Sequence, residues 1–246
     1  MKMNEIERLQ QLAGITTEGA YVLRAEADDM PSKAQVMKMC KDGKSKKEIC
    51  DMFPKCDQDK LKKMIDDGVM VQDEKDSLYA YALTMNGRTQ TGFVLCACTD
   101  EYDQNIVRKH EFTRPDKEDD RVRNIEALGA QSGTVFLVHR QSEILAAAMK
   151  QATADTPAVD FVAADGIRHQ LWVIAEDNEI AQIVKGFDAL GPIYIADGHH
   201  RSAAASRVAK SSRDANNDNP ETQRFLAVSF PEDEMLIMDY NRVVKD

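Results

Sequence analysis

The sequence predicts an α+β fold, in which helices combine with a mixed sheet and a small helical module precedes them. Strand-like and helix-like segments follow each other without the regular alternation of a doubly wound protein. Two turn signals, Asn86-Gly87 and Asp165-Gly166, each separate two strand-like segments, which is the pattern of a β-hairpin. A short apolar segment, a glycine turn and an alanine-rich helix follow one another at residues 192–208.

The first 68 residues are predicted to form the helical module, and residues 69–246 the α+β domain. Two helical segments joined at residues 53–56 resemble a helix-turn-helix. One interpretation is that the lysines of this pair contact DNA; they are Lys55, Lys60, Lys62 and Lys63. The favoured alternative is a helical hairpin with solvated lysines, because the aspartates of its second helix would repel phosphates.

In the larger domain, apolar and alternating segments predict strands, and helical periodicity with capping signals predicts helices. The predicted strands are 78–84, 88–99, 134–139, 159–164, 167–175, 192–195, 225–230 and 235–240. The predicted helices are 115–130, 142–152, 176–187 and 201–208. Thr113 is the expected N-cap of the helix that begins at Pro115, and residues 211–223 are expected to form a polar loop.

The composition limits the classes of function. The chain has 246 residues and a formal net charge of −10, which argues against a broad nucleic-acid footprint. Its five cysteines lack disulfide spacing, no apolar run approaches bilayer length, and the first residues do not resemble a secretory signal. We therefore expect a cytoplasmic protein with free thiols and no membrane partner. Cys96 and Cys98 are expected to share one face of a strand and to pack in the core.

The clearest chemistry lies in the sequence Asp197-Gly198-His199-His200-Arg201, between a predicted strand and a predicted helix. The first N–H groups of a helix lack internal partners and the helix dipole is positive there, so this corner can attract an anion. Arg201 can bind phosphate or carboxylate with two hydrogen bonds, and the imidazoles can donate to oxyanions or move protons. A surface turn with solvated histidines is the alternative. Structural zinc is not expected, because the adjacent His199 and His200 seldom reach one ion.

The remaining histidines divide into one candidate site residue and two structural ones. His110, Glu111 and Arg114 lie in a segment rich in both charges, which either contacts a substrate or nucleotide or forms a solvated loop with local ion pairs. His139 ends a predicted buried strand and His169 lies on a predicted hairpin strand, so both are expected to be structural.

The motif at residues 196–201, Ala-Asp-Gly-His-His-Arg, resembles the signature of domain-of-unknown-function family 1015 of bacteria and archaea. Segments 68–74, 77–94, 110–121 and 240–246 also resemble the family, so the resemblance covers about 60–246. The N-terminal segment is atypical for the family, whose domain continues beyond the position of Asp246. We therefore expect residues 69–246 to lack the C-terminal part of that domain. The family resembles the sulfiredoxin/ParB-like fold, which includes an ADP-dependent free-serine kinase.

This resemblance implies that the corner binds the phosphate of a nucleotide. The implied phosphate- or nucleotide-binding residues are Asp197, Gly198, Arg201, His110 and Thr113. The implied catalytic residues are His199, His200 and Glu111. In this scheme Glu111 is the base for an attacking hydroxyl group and Asp197 holds Mg²⁺ or orients an imidazole.

The leading hypothesis is a nucleotide-dependent small-molecule phosphotransferase, similar to the free-serine kinase, that uses ADP or ATP with Mg²⁺. One alternative is a DNA-associated regulator with a nucleotide-sensing body, although the acidic net charge does not favour DNA as a partner. The other alternative is a remnant that binds nucleotide without turnover.

Overall fold

The computed structural model describes residues 73, 75–131, 133–216 and 219–237. The predicted helical module of residues 1–68 lies outside them, as do residues 238–240 of the last predicted strand. The described residues form a mixed sheet of eight strands with five α-helices, and the predicted α+β class is confirmed. None of these helices has the length and apolar character that a bilayer crossing requires.

The strands are β1 Leu78–Met85, β2 Arg88–Cys98, β3 Val107–Arg108, β4 Val135–His139, β5 Val159–Val162, β6 Arg168–Ile174, β7 Ile193–Asp197 and β8 Arg224–Pro231. The α-helices are α1 Thr99–Asp103, α2 Pro115–Leu128, α3 Glu143–Ala152, α4 Asp177–Asp188 and α5 His199–Asp214. Two 3₁₀ turns cover Pro220–Gln223 and Glu232–Glu234. The order of strands in the sheet is β3-β7-β4-β8-β2-β1-β6-β5.

Both predicted hairpins are present. In the first, Met85 pairs with Arg88, and Asn86 and Gly87 have φ angles of 52° and 77°. Positive φ at both central positions is the geometry of a type I′ turn, whose twist matches that of the two strands. In the second, β5 pairs with β6 in antiparallel register, and Gly166 has a φ of 84°.

The described residues divide into two compact units. The second unit comprises Ser77–Leu95, Leu137–Tyr194 and residues 228–237, and its core lies between strands β1, β2 and β6 and helices α3 and α4. The buried members of this core are Ala80, Ala82, Phe93, Leu145, Ala148, Trp172, Ile174 and Ile183. Helix α3 begins where Ser142 accepts a hydrogen bond from the N–H of Leu145, at 3.3 Å. Helix α4 carries Gly186 at its contact with α3, where a side chain would meet Leu145.

The other unit contains Cys96–Phe136 and Ile195–Ala227, and helix α5 packs there against α1 and α2. The buried face of α5 consists of small residues, since Ala203, Ala204, Ala205 and Ala209 are all nearly inaccessible. Small side chains allow helices to approach closely, and polar contacts surround this face. Arg207, for example, donates to carboxylates of α2.

The C-terminal part of the domain differs from the prediction. Helix α5 continues to Asp214 through part of the expected polar loop, and Asn219 then caps a 3₁₀ turn by accepting from the N–H of Glu221. The expected last strand is absent at residues 235–237, which follow a second 3₁₀ turn without pairing. Three consecutive acidic residues, Glu232–Glu234, form that turn, in the connection predicted between the last two strands.

Two smaller expectations are also wrong. Cys96 is exposed and Cys98 is half-buried, because Ala97 between them takes the buried side at this end of the strand. Successive strand residues face opposite sides, so the cysteines take the less covered side. Thr113 does not cap α2, because the N-cap residue is Arg114 and makes no side-chain capping bond.

Candidate functional site

The predicted corner at residues 197–201 forms as a strand, a one-residue turn and a helix. Strand β7 ends at Asp197, and Gly198 then takes a left-handed conformation with φ 97°. Helix α5 begins at His199, two residues earlier than the alanine-rich pattern predicts. The carbonyl of Gly198 accepts the N–H groups of Arg201 and Ser202, at 2.9 and 3.0 Å. The helix therefore begins with both histidines in its first turn, where backbone N–H groups lack helical partners.

Arg201 is held in one orientation but keeps one donor unused. Its Nη2 donates to Oδ2 of Asp197 at 2.7 Å. Its Nε is buried and has no hydrogen-bond partner. Among the described residues, no other buried side-chain nitrogen or oxygen lacks a partner. An unpaired buried donor costs roughly 1–3 kcal/mol, so its presence calls for an explanation.

Two glycines make room for this guanidinium. A Cβ at Gly198 would lie 3.1 Å from both Nε and Nη2 of Arg201, and 3.2 Å from Cα of Val135. A Cβ at Gly133 would lie 3.4 Å from Cδ of Arg201. The importance of Gly133 is not visible in the sequence, because it lies 68 positions from Arg201 in the chain and belongs to no motif.

His199 is 3% exposed and contacts the segment that precedes α2. Its Nε2 accepts the backbone N–H of His110 at 3.4 Å, which assigns the ring proton to Nδ1. That Nδ1 lies 3.6 Å from Oε2 of Glu111. The rings of His110 and His199 meet edge to face, with centroids 4.4 Å apart.

The pKa of His199 lies below its ordinary value. Burial is the main cause, and the neighbouring His110 adds to it, whereas the Glu111 carboxylate opposes it. The imidazole is therefore neutral at pH 7, and the positive charge at this corner is that of Arg201, which is paired with the carboxylate of Asp197.

His200 contacts the same segment further along. Its Nε2 accepts the backbone N–H of Arg114 at 3.2 Å. The guanidinium of Arg114 itself pairs with Asp116 at 2.9 Å, so its charge is used locally, as the ion-pair interpretation of this segment proposed. Both imidazoles thus attach the 110–114 segment to the start of α5.

The structure therefore brings most of the sequence-predicted site residues together. His110 and Glu111 lie against His199, and Asp197 and Gly198 lie against Arg201. Thr113 is half-buried in the same segment, next to Phe112, whose side chain is fully exposed.

The other two histidines lie in the second unit and make structural contacts. His139 is 3% exposed, and its Nδ1 shares a hydrogen bond of 2.8 Å with Oγ of Ser229. Nδ1 of His169 shares one of 2.7 Å with the hydroxyl of Tyr81, and its ring stacks on Phe161.

The fold and the corner together define a class of α+β proteins. In this class an arginine and two histidines lie in the first turn of a helix that follows a strand of the sheet. The chain belongs to the family described as protein of unknown function (DUF1015), whose model matches residues 37–246. The match begins before residue 60, so the family's pattern includes part of the segment that looks atypical in sequence. Neither a curated protein nor a solved structure matches the chain significantly.

Proposed function

We propose that the corner binds the phosphate of ADP or ATP, and that the protein transfers a phosphoryl group between this nucleotide and a small molecule. The observation that carries the proposal is the buried, unpartnered Nε of Arg201. A phosphate oxygen is an acceptor of the kind this donor lacks, and charge-assisted bonds from guanidinium to phosphate are among the strongest in proteins.

The surroundings of Arg201 support an anion rather than another kind of ligand. Asp197 fixes Nη2, which prevents the guanidinium from rotating away to solvent. The N-terminal turn of α5, a helix of 16 residues, adds a positive dipole end at the same position. The resemblance of this chain to the sulfiredoxin/ParB-like kinases, which stays a prediction, agrees with phosphate as the anion.

The histidines and Glu111 have roles that follow from their hydrogen bonds and their exposure. Neutral His199 carries its proton on Nδ1 and can donate a hydrogen bond from there, while its Nε2 accepts from the backbone of His110. Glu111 is 59% exposed, so its carboxylate can reach a substrate hydroxyl group as a base. His200 uses Nε2 to accept from the backbone and has Nδ1 for a phosphate oxygen.

Magnesium fits this site through Asp197. Its side chain is 58% exposed, and Oδ2 is engaged by Arg201, which leaves Oδ1 for a hydrated ion. When bound with nucleotide, Mg²⁺ neutralises phosphate oxygens, which is the chief electrostatic need of phosphoryl transfer.

Calorimetric titration of ADP and ATP into the full chain tests the binding step. Arg201→Ala is expected to abolish binding, and Arg201→Lys should not restore it, because an ammonium group cannot reproduce two fixed N–H donors. Arg207→Ala is the matched control, since Arg207 lies on the same helix but pairs with Glu118 and Asp119. Unchanged nucleotide affinity in Arg201→Ala would refute the placement of the phosphate.

A second experiment tests turnover. Incubation with labelled ADP or ATP, Mg²⁺ and a pool of amino acids should yield a phosphorylated product, and Glu111→Gln should slow its formation while leaving nucleotide affinity unchanged. Nucleotide binding without any product would favour the alternative of a non-catalytic nucleotide-binding protein.

A further inference from the structure

A second cluster of donors lies beside the corner. The side chains of His110 and Glu111, from the segment before α2, meet His199 at the start of α5. One ligand atom from each of the three lies within 4.8 Å of the other two. Two imidazoles and a carboxylate are the donor set of many mononuclear sites for divalent transition metals.

The separation of Nδ1 of His199 from Oε2 of Glu111 favours a shared ion over a direct bond. The distance is 3.6 Å, longer than the 2.7–3.2 Å of an N–H···O hydrogen bond. Two ligands at about 2.1 Å from one tetrahedral ion lie about 3.4 Å apart. The observed spacing is therefore close to that of two ligands of the same ion.

The exposure of the three ligands differs in a way that suits metal binding. His199 is 3% exposed and fixed by the helix, so it can act as the anchor. His110 and Glu111 are exposed, and their side chains can close on an ion by small rotations. The one contact that conflicts is the bond from the His110 N–H to Nε2 of His199, because a metal on Nδ1 moves the ring proton to Nε2. That bond is 3.4 Å long and is weak enough to be given up.

We propose that His110, Glu111 and His199 form a binding site for one divalent transition-metal ion, with Zn²⁺ and Co²⁺ as probes. Imidazole donors favour these ions over Mg²⁺, which prefers oxygen ligands. The site needs only its three donors and does not rest on the proposed nucleotide function. If both proposals hold, the ion binds the Glu111 carboxylate that serves as the base. Zn²⁺ is therefore expected to inhibit phosphoryl transfer.

The experiment is a titration of the metal-free full chain with Zn²⁺ by calorimetry and with Co²⁺ by visible absorption. The cysteines are alkylated first, because thiolates such as that of exposed Cys96 would compete for either ion. We expect one ion per chain, with no competition from millimolar Mg²⁺. Glu111→Gln and His110→Ala should each weaken binding at least about tenfold, since even outer partners of metal ligands contribute 10- to 100-fold.

Three further variants separate the possible outcomes. His169→Gln removes a histidine of the second unit, and Glu118→Gln removes a carboxylate of α2, and both should bind the ion as the wild type does. Arg201→Ala should lose nucleotide but keep the metal, so failure of one proposal is distinguishable from failure of the other. Equal Zn²⁺ affinity in His110→Ala, Glu111→Gln and the wild type, or no stoichiometric binding at all, would overturn the metal site.

Discussion

Replacement of Gly198 by alanine tests both the stability and the chemistry of the corner. Gly198 has a φ of 97°, where an alanine is strained by about 1–2 kcal/mol. Its new Cβ would also lie 3.2 Å from Cα of Val135 and 3.1 Å from two nitrogens of Arg201. The backbone of Val135 cannot turn aside as a side chain can, and such overpacking costs about 1–3 kcal/mol. We therefore expect a total loss of about 2–5 kcal/mol.

Gly166→Ala is the matched control. Gly166 has a similar φ of 84°, but nothing lies within 4 Å of a Cβ built there. This variant should show the backbone strain alone, about 1–2 kcal/mol. The difference between the two variants therefore measures how tightly the corner is packed around Arg201.

Urea unfolding monitored by circular dichroism gives both free energies by linear extrapolation. The Gly198→Ala protein that remains folded should also bind ADP more weakly, because its Cβ displaces the guanidinium. Equal loss of stability in the two variants would refute the packing argument. Wild-type affinity for ADP in folded Gly198→Ala would show that the position of Arg201 does not matter for the nucleotide.

Two other predictions concern the second unit. Burial lowers the pKa of His139 to about 4, below its ordinary 6.5, so the unfolded chain takes up the proton first as pH falls. The free energy of unfolding should therefore be unaffected above pH 6.5 and fall by up to about 3 kcal/mol towards pH 4. Urea unfolding measures this decrease, which should be absent in His139→Asn. Gly186→Ala should lower the melting temperature, because its Cβ would lie 2.5 Å from Cδ2 of Leu145. The cost of this overpacking should exceed the gain of about 1 kcal/mol in helix propensity. In a Leu145→Ala background the same substitution should instead raise the melting temperature, and a further decrease would contradict this account.

Much of the fold could be predicted because its signals are local. The Asn86-Gly87 turn and the alanine-rich helix predicted at 142–152 each depend on residues a few positions apart, and both form, the helix as α3. The end of α5 could not be predicted in this way. Its last turns contain residues that are polar and typical of loops, and the helix is continued by contacts with distant elements, such as the bond between Arg213 and Asp100.

The same distinction between local signals and long-range contacts applies to the candidate site. The motif at residues 197–201 identified the corner, because a strand, a glycine and a helix start are adjacent in sequence. The contact of His110 and Glu111 with His199 joins residues about 90 positions apart, and only the family resemblance placed them together before the structure was known. The sequence did not suggest the proposed metal ligands, because metal binding was considered only for the adjacent His199 and His200, whereas the second imidazole of the proposed site comes from another segment.

The two histidines of the motif act differently from the arginine that follows them. Each imidazole accepts a backbone N–H through Nε2, that of His110 for His199 and that of Arg114 for His200. A ring nitrogen that accepts a hydrogen bond carries no proton, so Nε2 is the acceptor nitrogen of each ring. Arg201, which makes no bond to that segment, is then the permanent charge at the corner. In the proposed function, one residue therefore binds the negative charge of the ligand, while the two histidines hold the segment that carries Glu111, the residue that the proposed chemistry and the proposed metal site both require.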